Sequence, residues 1–179
     1  VETIGNRAFS YCKFPSIKIP RSVVSFGGNP FIGCYKLREI DVTENTNFVF
    51  VDGMLMDREK TQVIYCDDSK SGDYSIPNTV TTICTGAFAR CDYLLSITIP
   101  NSVVSIGSRA FKHCEQLSSI EVPGSVKEIG DEAFVYCKKL SSITIPGSIE
   151  TLGANLFAKC ENLSEITVVG EGGNIRMVD

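Results

Sequence analysis

The chain has 179 residues, of which 43% are hydrophobic, 21% are charged and none is tryptophan, a composition typical of an ordered protein. Seventeen basic and twenty-one acidic residues give a net charge of −4, which provides no general attraction to phosphate backbones or anionic lipids. Nucleic acid is therefore not an expected partner. No apolar run approaches the roughly 20 residues that span a bilayer, so we expect no membrane insertion in this segment.

The first 42 residues carry two copies of a short pattern in which a phenylalanine precedes a cysteine by three positions. The copies are Phe9 with Cys12 and Phe31 with Cys34, at an interval of 22 residues. We assign them to repeat units, or rungs, at about 1–19 and 20–42. The chain begins partway through a unit, so we expect it to be a segment of a longer protein, with any export signal and anchor outside it.

The period then breaks, and residues 43–75 are predicted to be an insertion. Within it, the segment 47–56 has apolar residues on both sides of Asp52-Gly53, a pair typical of the tight turn of a β-hairpin. A second apolar stretch, 61–65, predicts a further strand. The apolar residues that flank the turn include Phe48, Phe50, Met54 and Met56. Two interpretations stay open: the hairpin packs onto the neighbouring units, or it contacts a partner.

From residue 76 the pattern returns as four similar units with an interval of 23 residues. The repeated positions are Pro77, Pro100, Pro123 and Pro146, then Phe88, Phe111, Phe134 and Phe157, then Cys91, Cys114, Cys137 and Cys160. We assign the units to about 76–98, 99–121, 122–144 and 145–167, followed by a C-terminal tail at 168–179. Because a unit this short buries its apolar side only by stacking on its neighbours, the period predicts a single solenoid domain over 1–179.

The spacing inside one unit predicts a strand. Apolar residues at Leu117, Ile120 and Val122 fit the strand template of a leucine-rich repeat. By the two-residue alternation of a strand, Ile120 and Val122 point inward, while Ser119 and Glu121 point outward. Strands that recur once per turn run parallel, and sterics favour a right-handed coil.

The rest of the unit predicts a short helical turn. Ala110, Phe111, Cys114 and Leu117 recur at the offsets of one helical face. The predicted fold is therefore an α/β repeat: a right-handed leucine-rich-repeat solenoid with a parallel β-sheet on the concave face, short helical turns opposite, and one inserted β-hairpin.

Six of the eight cysteines occupy one inward position of the repeat, where a small hydrophobic side chain fits. They are Cys12, Cys34, Cys91, Cys114, Cys137 and Cys160. Stacked rungs lie about 4.7–4.9 Å apart, within disulfide reach, but parallel side-chain vectors suit bridging poorly. We expect free buried thiols. Cys66 and Cys84 lie off the pattern, and a disulfide between these two stays open.

The sequence contains no recognisable catalytic constellation. A Ser-His-Asp or Cys-His site would have to use His113, the one histidine, and no strained nucleophile turn accompanies it. Cysteine and histidine spacings typical of metal ligands are also missing. We predict no enzymatic activity, no catalytic residue, no metal site and no cofactor.

The units resemble the BspA-like leucine-rich repeats of surface proteins from bacteria and some parasitic protists. The resemblance rests on Ile-Pro-x-Ser-Val-x-x-Ile-Gly-x-x-Ala-Phe-x-x-Cys-x-x-Leu-x-x-Ile, present at 99–120 and nearly intact at 76–97, 122–143 and 145–166. It covers nearly the whole chain. It implies a secreted or cell-surface location and, often, adhesion to host matrix proteins or to other cells.

Three surfaces are candidates for ligand binding, and the outward strand positions come first because many rungs of a solenoid can touch one partner. These positions are Glu39, Asp41, Ser96, Thr98, Ser119, Glu121, Ser142, Thr144, Glu165 and Thr167. Short serine and threonine side chains are also ordinary residues for a strand, so both interpretations stay open. The hairpin is the second candidate.

The third candidate is the row of residues that immediately precede the repeat cysteines. The row comprises Tyr11, Arg90, His113, Tyr136 and Lys159, with Gly33 as a gap. Aromatic and cationic groups in a column suit a carbohydrate or an acidic protein. The alternative is a solvated edge whose side chains stack on each other.

We therefore expect a monomeric, non-enzymatic adhesion or recognition module that binds a protein or glycan, with host extracellular matrix among the candidate ligands. The alternative is a structural spacer or stalk of a larger surface protein.

Overall fold

The repeat units fold into stacked rungs joined by parallel ladders of strands in the computed structural model, which describes residues 1–170. Each rung contributes a long strand to the first ladder, as the spacing around Leu117 predicts. These strands are β2 (Ser16–Lys18), β4 (Glu39–Asp41), β8 (Ser71–Ser75), β10 (Tyr93–Thr98), β12 (Ser119–Glu121), β14 (Ser142–Pro146) and β16 (Glu165–Val169). Hydrogen bonding joins β2 with β4, β8 with β10, β12 with β14, and β14 with β16.

A second ladder, which the sequence pattern did not predict, is built from two-residue strands at the Val-x-x-Ile segment of each unit. These strands are β1 (Thr3–Ile4), β3 (Ser25–Phe26), β9 (Thr82–Ile83), β11 (Ser105–Ile106), β13 (Glu128–Ile129) and β15 (Thr151–Leu152). β9, β11, β13 and β15 pair in parallel and in register. Where strands of both ladders pair, as in the last three rungs, neighbouring rungs are held together on two sides by backbone hydrogen bonds.

The core is a column of identical positions from successive rungs. Ile120 and Ile143 are paired on neighbouring strands and are buried, whereas Ser119 and Glu121 beside them are exposed, which confirms the predicted alternation. The repeat phenylalanines stack face to face: the ring centroids of Phe111 and Phe134 are 5.5 Å apart with parallel planes. Their burial supplies much of the hydrophobic stabilisation that a single rung lacks.

The predicted short helical turns are wrong, because residues 1–170 contain no helix. In the third complete unit, Lys112 N–H donates to Arg109 O and Cys114 N–H to Phe111 O, as in consecutive tight turns. The intervening N–H groups of Phe111 and His113 instead donate to carbonyls of the next rung, at 2.8 and 2.9 Å.

Residues with a positive φ angle, in the left-handed region, lie between these turns and prevent a continuous helix from forming. Arg109 and His113 have φ values of 59° and 63°, and the equivalent Glu132 and Tyr136 have 56° and 63°. A non-glycine residue in this region costs about 1–2 kcal/mol, which the hydrogen bonds between rungs offset. Consecutive turns place every third or fourth side chain on one side, and a helix does the same, which is why the spacing suggested one.

The insertion forms the predicted hairpin. β5 (Phe48–Val51) pairs antiparallel with β6 (Met54–Asp57), and the turn residues Asp52 and Gly53 have φ values of 51° and 79°, as a type I′ turn requires. The predicted further strand is β7 (Gln62–Cys66), which pairs with β6 on one side and with β9 on the other. The insertion also supplies β8, so residues 62–75 contribute to both ladders.

The hairpin is packed into the protein, which decides between the two interpretations left open for it. β6 is buried on both faces: Leu55 packs in the core of the first two rungs, whereas Met54 and Met56 pack in the core of the later rungs. Phe48 is buried as well. The hairpin therefore joins two hydrophobic cores and is not a free apolar surface.

All eight cysteines are free thiols, including Cys66 and Cys84. The repeat cysteines form a ladder of sulfur hydrogen bonds: the thiols of Cys114 and Cys137 donate to the carbonyl oxygens of Phe88 and Phe111, each at 3.2 Å. A cysteine at this position thus fills a small apolar site and also links neighbouring rungs. The first two residues of the predicted tail, 168 and 169, belong to β16, and residues 171–179 lie outside the described part of the chain.

The phenylalanine stack predicts strong sensitivity to truncation. We expect Phe111→Ala to lower the free energy of unfolding by about 3–5 kcal/mol, because the ring is fully buried between two others and its loss leaves a cavity. Chemical denaturation followed by circular dichroism measures this. Val104→Ala, at an exposed position in the same unit, is the control. A loss below about 1 kcal/mol for Phe111→Ala would contradict the inward assignment.

The thiol ladder predicts the number of titratable sulfhydryls. After denaturation without reductant, we expect all eight cysteines to react with Ellman's reagent. Burial raises the pKa of the Cys114 thiol well above its usual value, so reaction in the native protein should be slow at this position. Fewer than about six reacting thiols in the denatured chain would mean that disulfides form.

Candidate functional site

The strand face, by which we mean the outward residues of the long strands, carries the predicted ligand-binding positions. All ten are exposed or half-buried. Strand register aligns them from rung to rung: Ser119, Ser142 and Glu165 form one line, and Glu121, Thr144 and Thr167 form the next. Whether this surface binds a ligand stays a prediction, but the geometry gives a continuous polar strip across the last three rungs.

The insertion adds two strand-face residues that the sequence interpretation missed. β8 pairs with β10 so that Asp73 lies beside Ser96 and Ser75 lies beside Thr98, and Ser96 Oγ donates to Asp73 at 2.6 Å. The alternation of Ser-Gly-Asp-Tyr-Ser at 71–75 was a usable strand signal. It fell inside a segment assigned to a hairpin, away from the regular period.

The strand face is acidic. Five carboxylates, those of Glu39, Asp41, Asp73, Glu121 and Glu165, share it with Lys18. Asp41 is partly engaged, because its carboxylate accepts hydrogen bonds from the backbone N–H and the hydroxyl of Thr43. These bonds hold the pKa of Asp41 below its usual value. Lys18 forms a 2.7 Å ion pair with Glu44. The remaining carboxylates favour a ligand with basic groups.

A groove divides the strand face where β10 and β12 separate. No ladder pairing joins these two strands, and β10 has a register irregularity between Leu94 and Ser96. The backbone bond from Ser118 N–H to Leu95 O, at 3.4 Å, is long. The resulting cavity has a volume of about 390 Å³. The predicted residues that line it are Ser96, Thr98, Ser119 and Glu121.

The row of residues before the repeat cysteines is divided into two parts by the structure. In the later rungs its side chains stack on each other: the rings of His113 and Tyr136 are 4.5 Å apart and nearly parallel. Burial lowers the pKa of His113 below its usual value, and the charge of Arg90 lowers it further. This part of the row matches the interpretation of a self-stacked edge.

In the earlier rungs the row opens into a cleft. The guanidinium of Arg90 lies 5.5 Å from the centre of the Tyr11 ring, in cation–π geometry. The ring crosses Gly33, where an added Cβ would come within 2.7 Å of it, so the gap in the row is the space that Tyr11 occupies.

The cleft exists because one rung is short. Between the two ladders, the regular rung runs 14 positions from Ile83 to Ile97, whereas the rung of the insertion runs only 11 from Val63 to Tyr74. The short rung therefore has too few residues to form the turns that its neighbours form at this place. If the short rung is counted as the third, the second and fourth rungs meet across it. At this contact the buried side-chain amide of Asn29 donates to Gly86 O at 2.7 Å.

Beyond that contact the neighbouring rungs remain apart and enclose about 350 Å³. The residues that line this space are Tyr11, Gly33, Tyr35, Arg38, Asp68, Ser69, Arg90, Asp92 and Tyr93. Of these, the sequence interpretation had singled out Tyr11, Gly33 and Arg90. The others were missed because they come together only when the insertion is folded as a short rung.

The polar groups of this cleft, which we call the tyrosine cleft, are held in place from below. The carboxylate of Asp67 accepts hydrogen bonds from the backbone N–H and hydroxyl of Ser69 at 2.9 and 2.8 Å, which fixes the turn that carries Asp68. Arg38 donates to the carbonyl of Tyr35 and lies 3.5 Å from Asp67. The cleft is thus built from anchored groups.

One carboxylate in the tyrosine cleft, that of Asp92, has a raised pKa and an unsatisfied oxygen. Burial raises the pKa of Asp92 to about 6, the charge of Glu115 raises it further, and Arg90 opposes the effect. Its Oδ1 atom is buried and has no hydrogen-bond partner in the described part of the protein. Burial also raises the pKa of Asp68. Perturbed carboxyl groups in a cleft are typical of functional sites.

The described residues contain no cluster of three or more side chains suited to hold a metal ion. Within residues 1–170, no helix is long and apolar enough to cross a membrane.

Stacked rungs with a parallel strand per turn define the class of leucine-rich-repeat solenoids. The model of the BspA type leucine rich repeat region matches residues 1–52 and 62–177 in six copies, and the chain belongs to this family, as the resemblance predicted. No curated protein matches the chain.

Solved structures of similar proteins agree with the fold. The pneumococcal vaccine antigen PcpA has a TM-score of 0.87 and 26% identity, over 98% of this chain and 43% of that one. A leucine rich cell surface protein from Faecalibacterium prausnitzii has a TM-score of 0.72 and 30% identity, over 96% and 52%. A leucine-rich repeat protein from Eubacterium ventriosum has a TM-score of 0.81 and 24% identity, over 90% and 50%.

The chain spans about half the length of these solved proteins. It is a repeat protein of the bacterial surface-protein type, in a family and fold that are generally non-enzymatic and that generally serve to bind other proteins.

The raised pKa of Asp92 leads to a prediction about stability. The folded state holds the proton of Asp92 more tightly than the unfolded state, so ionisation at pH 7 costs stability, and this cost is relieved as the pH falls from about 6 to about 4. We expect Asp92→Asn to raise the free energy of unfolding at pH 7 by about 1 kcal/mol, since partial exposure screens the effect. The gain should vanish near pH 4.

Urea denaturation at several pH values measures this difference. Glu128→Gln, which changes an exposed carboxylate away from the cleft, is the control and should alter stability little at any pH. An Asp92→Asn variant that is less stable than the native chain at pH 7 would show that the ionised carboxylate stabilises the fold.

Proposed function

We propose that the chain is an adhesion or recognition module of a secreted or cell-surface protein, and that it binds a protein or glycan ligand, such as host extracellular matrix, through the strand face. The observation that carries the proposal is the alignment of exposed polar side chains, rung after rung, on an acidic sheet. An extended ligand can touch several rungs at once on such a surface, so small contributions add up.

The charge of the strand face sets the chemistry of the ligand. The carboxylates of Glu39, Glu121 and Glu165 are exposed, and none of them forms an ion pair with a lysine or arginine of residues 1–170. Ligands with basic segments are therefore favoured, and association should weaken as salt screens the attraction. Glycans bind to the same strip through hydrogen bonds to its serine and threonine hydroxyls.

The proposed location follows from the family. The BspA-type match covers nearly the whole chain, and two of the similar solved proteins are described as a cell surface protein and a vaccine antigen. Both descriptions concern those proteins. They support a surface location for this chain because the matched repeats are of the same type.

A structural spacer is the second candidate function. The short-strand ladder is continuous from β9 to β15. The stacked phenylalanines and the self-stacked pair His113 and Tyr136 also hold the later rungs together. A rigid rod of this kind holds another domain away from a cell surface. This function predicts that no face of the chain binds a ligand.

Paired alanine substitutions test the strand face. The native chain is screened against immobilised matrix proteins and glycans, and each positive ligand is titrated by surface plasmon resonance. We expect the double variant Glu121→Ala and Thr144→Ala to weaken binding about ten-fold, because both side chains lie on one line of adjacent strands. Raising the salt from about 0.05 to 0.5 M should weaken it as well.

Glu128→Ala is the control, since Glu128 is also exposed but lies in the short-strand ladder. Binding that is unchanged in the double variant, or reduced equally in the control, would show that the strand face is not the site. A screen with no positive ligand supports the spacer.

A further inference from the structure

We infer that the tyrosine cleft is a carbohydrate-binding site that takes a neutral hexopyranose unit, separate from the strand face. The cleft encloses about 350 Å³, at the lower end of the roughly 300–1,000 Å³ of ligand pockets, which fits a mono- or disaccharide better than a folded partner. The inference concerns a different surface from that of the proposed function and does not depend on it.

Exposed aromatic rings are the first argument. Tyr11, Tyr35 and Tyr93 are 53%, 51% and 64% exposed, and all three line this one cleft. The other three tyrosines of the chain, all within the described residues, are buried or half-buried. Single exposed apolar groups are ordinary on a protein surface, but three exposed rings around one cavity form a patch of the kind that marks a binding site.

Aromatic rings in this setting suit a sugar. One face of a hexopyranose presents C–H groups, which pack on the electron-rich face of an aromatic ring. The rim of the sugar presents hydroxyls that both donate and accept hydrogen bonds. Phenol rings also provide large rigid contact area at low cost in side-chain entropy.

Polar groups of both kinds lie at the same place. Asp68 and Asp92 offer acceptors, and Arg90 offers donors. The hydroxyl of Ser69 donates to Asp67, so its oxygen is a further acceptor. Asp92 lines the cleft, and its buried Oδ1 has no hydrogen-bond partner among the described residues, so a sugar hydroxyl that reached this atom would satisfy it. Burying this oxygen without a hydrogen-bond partner costs free energy, and a hydrogen bond from a ligand would offset that cost.

Charge balance selects a neutral ligand. The two guanidinium groups that line the cleft, Arg38 and Arg90, are matched by the carboxylates of Asp68 and Asp92. Arg38 is also held by Asp67 and by backbone carbonyls. An anionic ligand would have to displace these carboxylates or lie against them, which costs electrostatic energy.

The test is a titration with defined sugars. Maltose, lactose, mannobiose and chitobiose serve as neutral probes, and sialyllactose and digalacturonic acid serve as acidic probes, each followed by saturation-transfer NMR and by tyrosine fluorescence. The chain has no tryptophan, so its emission reports on the six tyrosines. We expect at least one neutral disaccharide to bind with a dissociation constant below about 5 mM.

Two variants within the cleft and one matched control locate the site. Tyr93→Ala and Tyr35→Ala should each weaken sugar binding at least about ten-fold. Both side chains are more than half exposed, so the fold is retained. Tyr136→Ala removes a tyrosine of the same chain outside the cleft and should change binding less than about two-fold.

Several outcomes would overturn the inference. These are no neutral sugar bound up to about 20 mM, binding of the acidic sugars alone, or equal losses in Tyr93→Ala and Tyr136→Ala. Sugar binding that is lost in the Glu121→Ala, Thr144→Ala double variant but kept in Tyr93→Ala would place the sugar on the strand face. That result would support the proposed function and contradict the cleft.

Discussion

Each rung depends on its neighbours for its hydrogen bonds and for its hydrophobic core. Phe111 shows both dependencies, because its ring lies between those of two adjacent rungs while its backbone N–H donates to Ala133 O of the next one. A rung alone would expose these groups to water. The residue types at inward positions are therefore closely constrained. The residue types at outward positions and the number of residues in a rung can vary more freely.

A change in rung length has consequences that a change of a surface side chain lacks. The three positions missing between Val63 and Tyr74 remove a set of turns, and the second and fourth rungs close the space through Asn29. Closure is incomplete, and side chains from four separate parts of the chain surround the remaining space. The tyrosine cleft is thus a product of an interruption in the repeat.

The sequence pattern was enough to predict the strands, the inward and outward positions along them, and the hairpin turn. Ile120 inward, Glu121 outward and the Asp52-Gly53 turn followed from period and turn chemistry alone. The helical turn was wrong because helices and consecutive turns share their apolar spacing, and because left-handed residues such as Arg109 are not glycines. The tyrosine cleft was missed because contacts across a shortened rung depend on strand register, which the sequence does not display.

The two surfaces differ in the kind of recognition they permit. On the strand face, neighbouring rungs offer similar side chains, so a long ligand displaced by one rung would keep many of its contacts, and affinity grows with length rather than with fit. The tyrosine cleft occurs at one place, with Tyr93 and Asp92 at fixed positions beside a short rung. A ligand there has one register. Selectivity for a particular small group is therefore more readily built into the interruption than into the repeat, because only the interruption distinguishes one rung from the next.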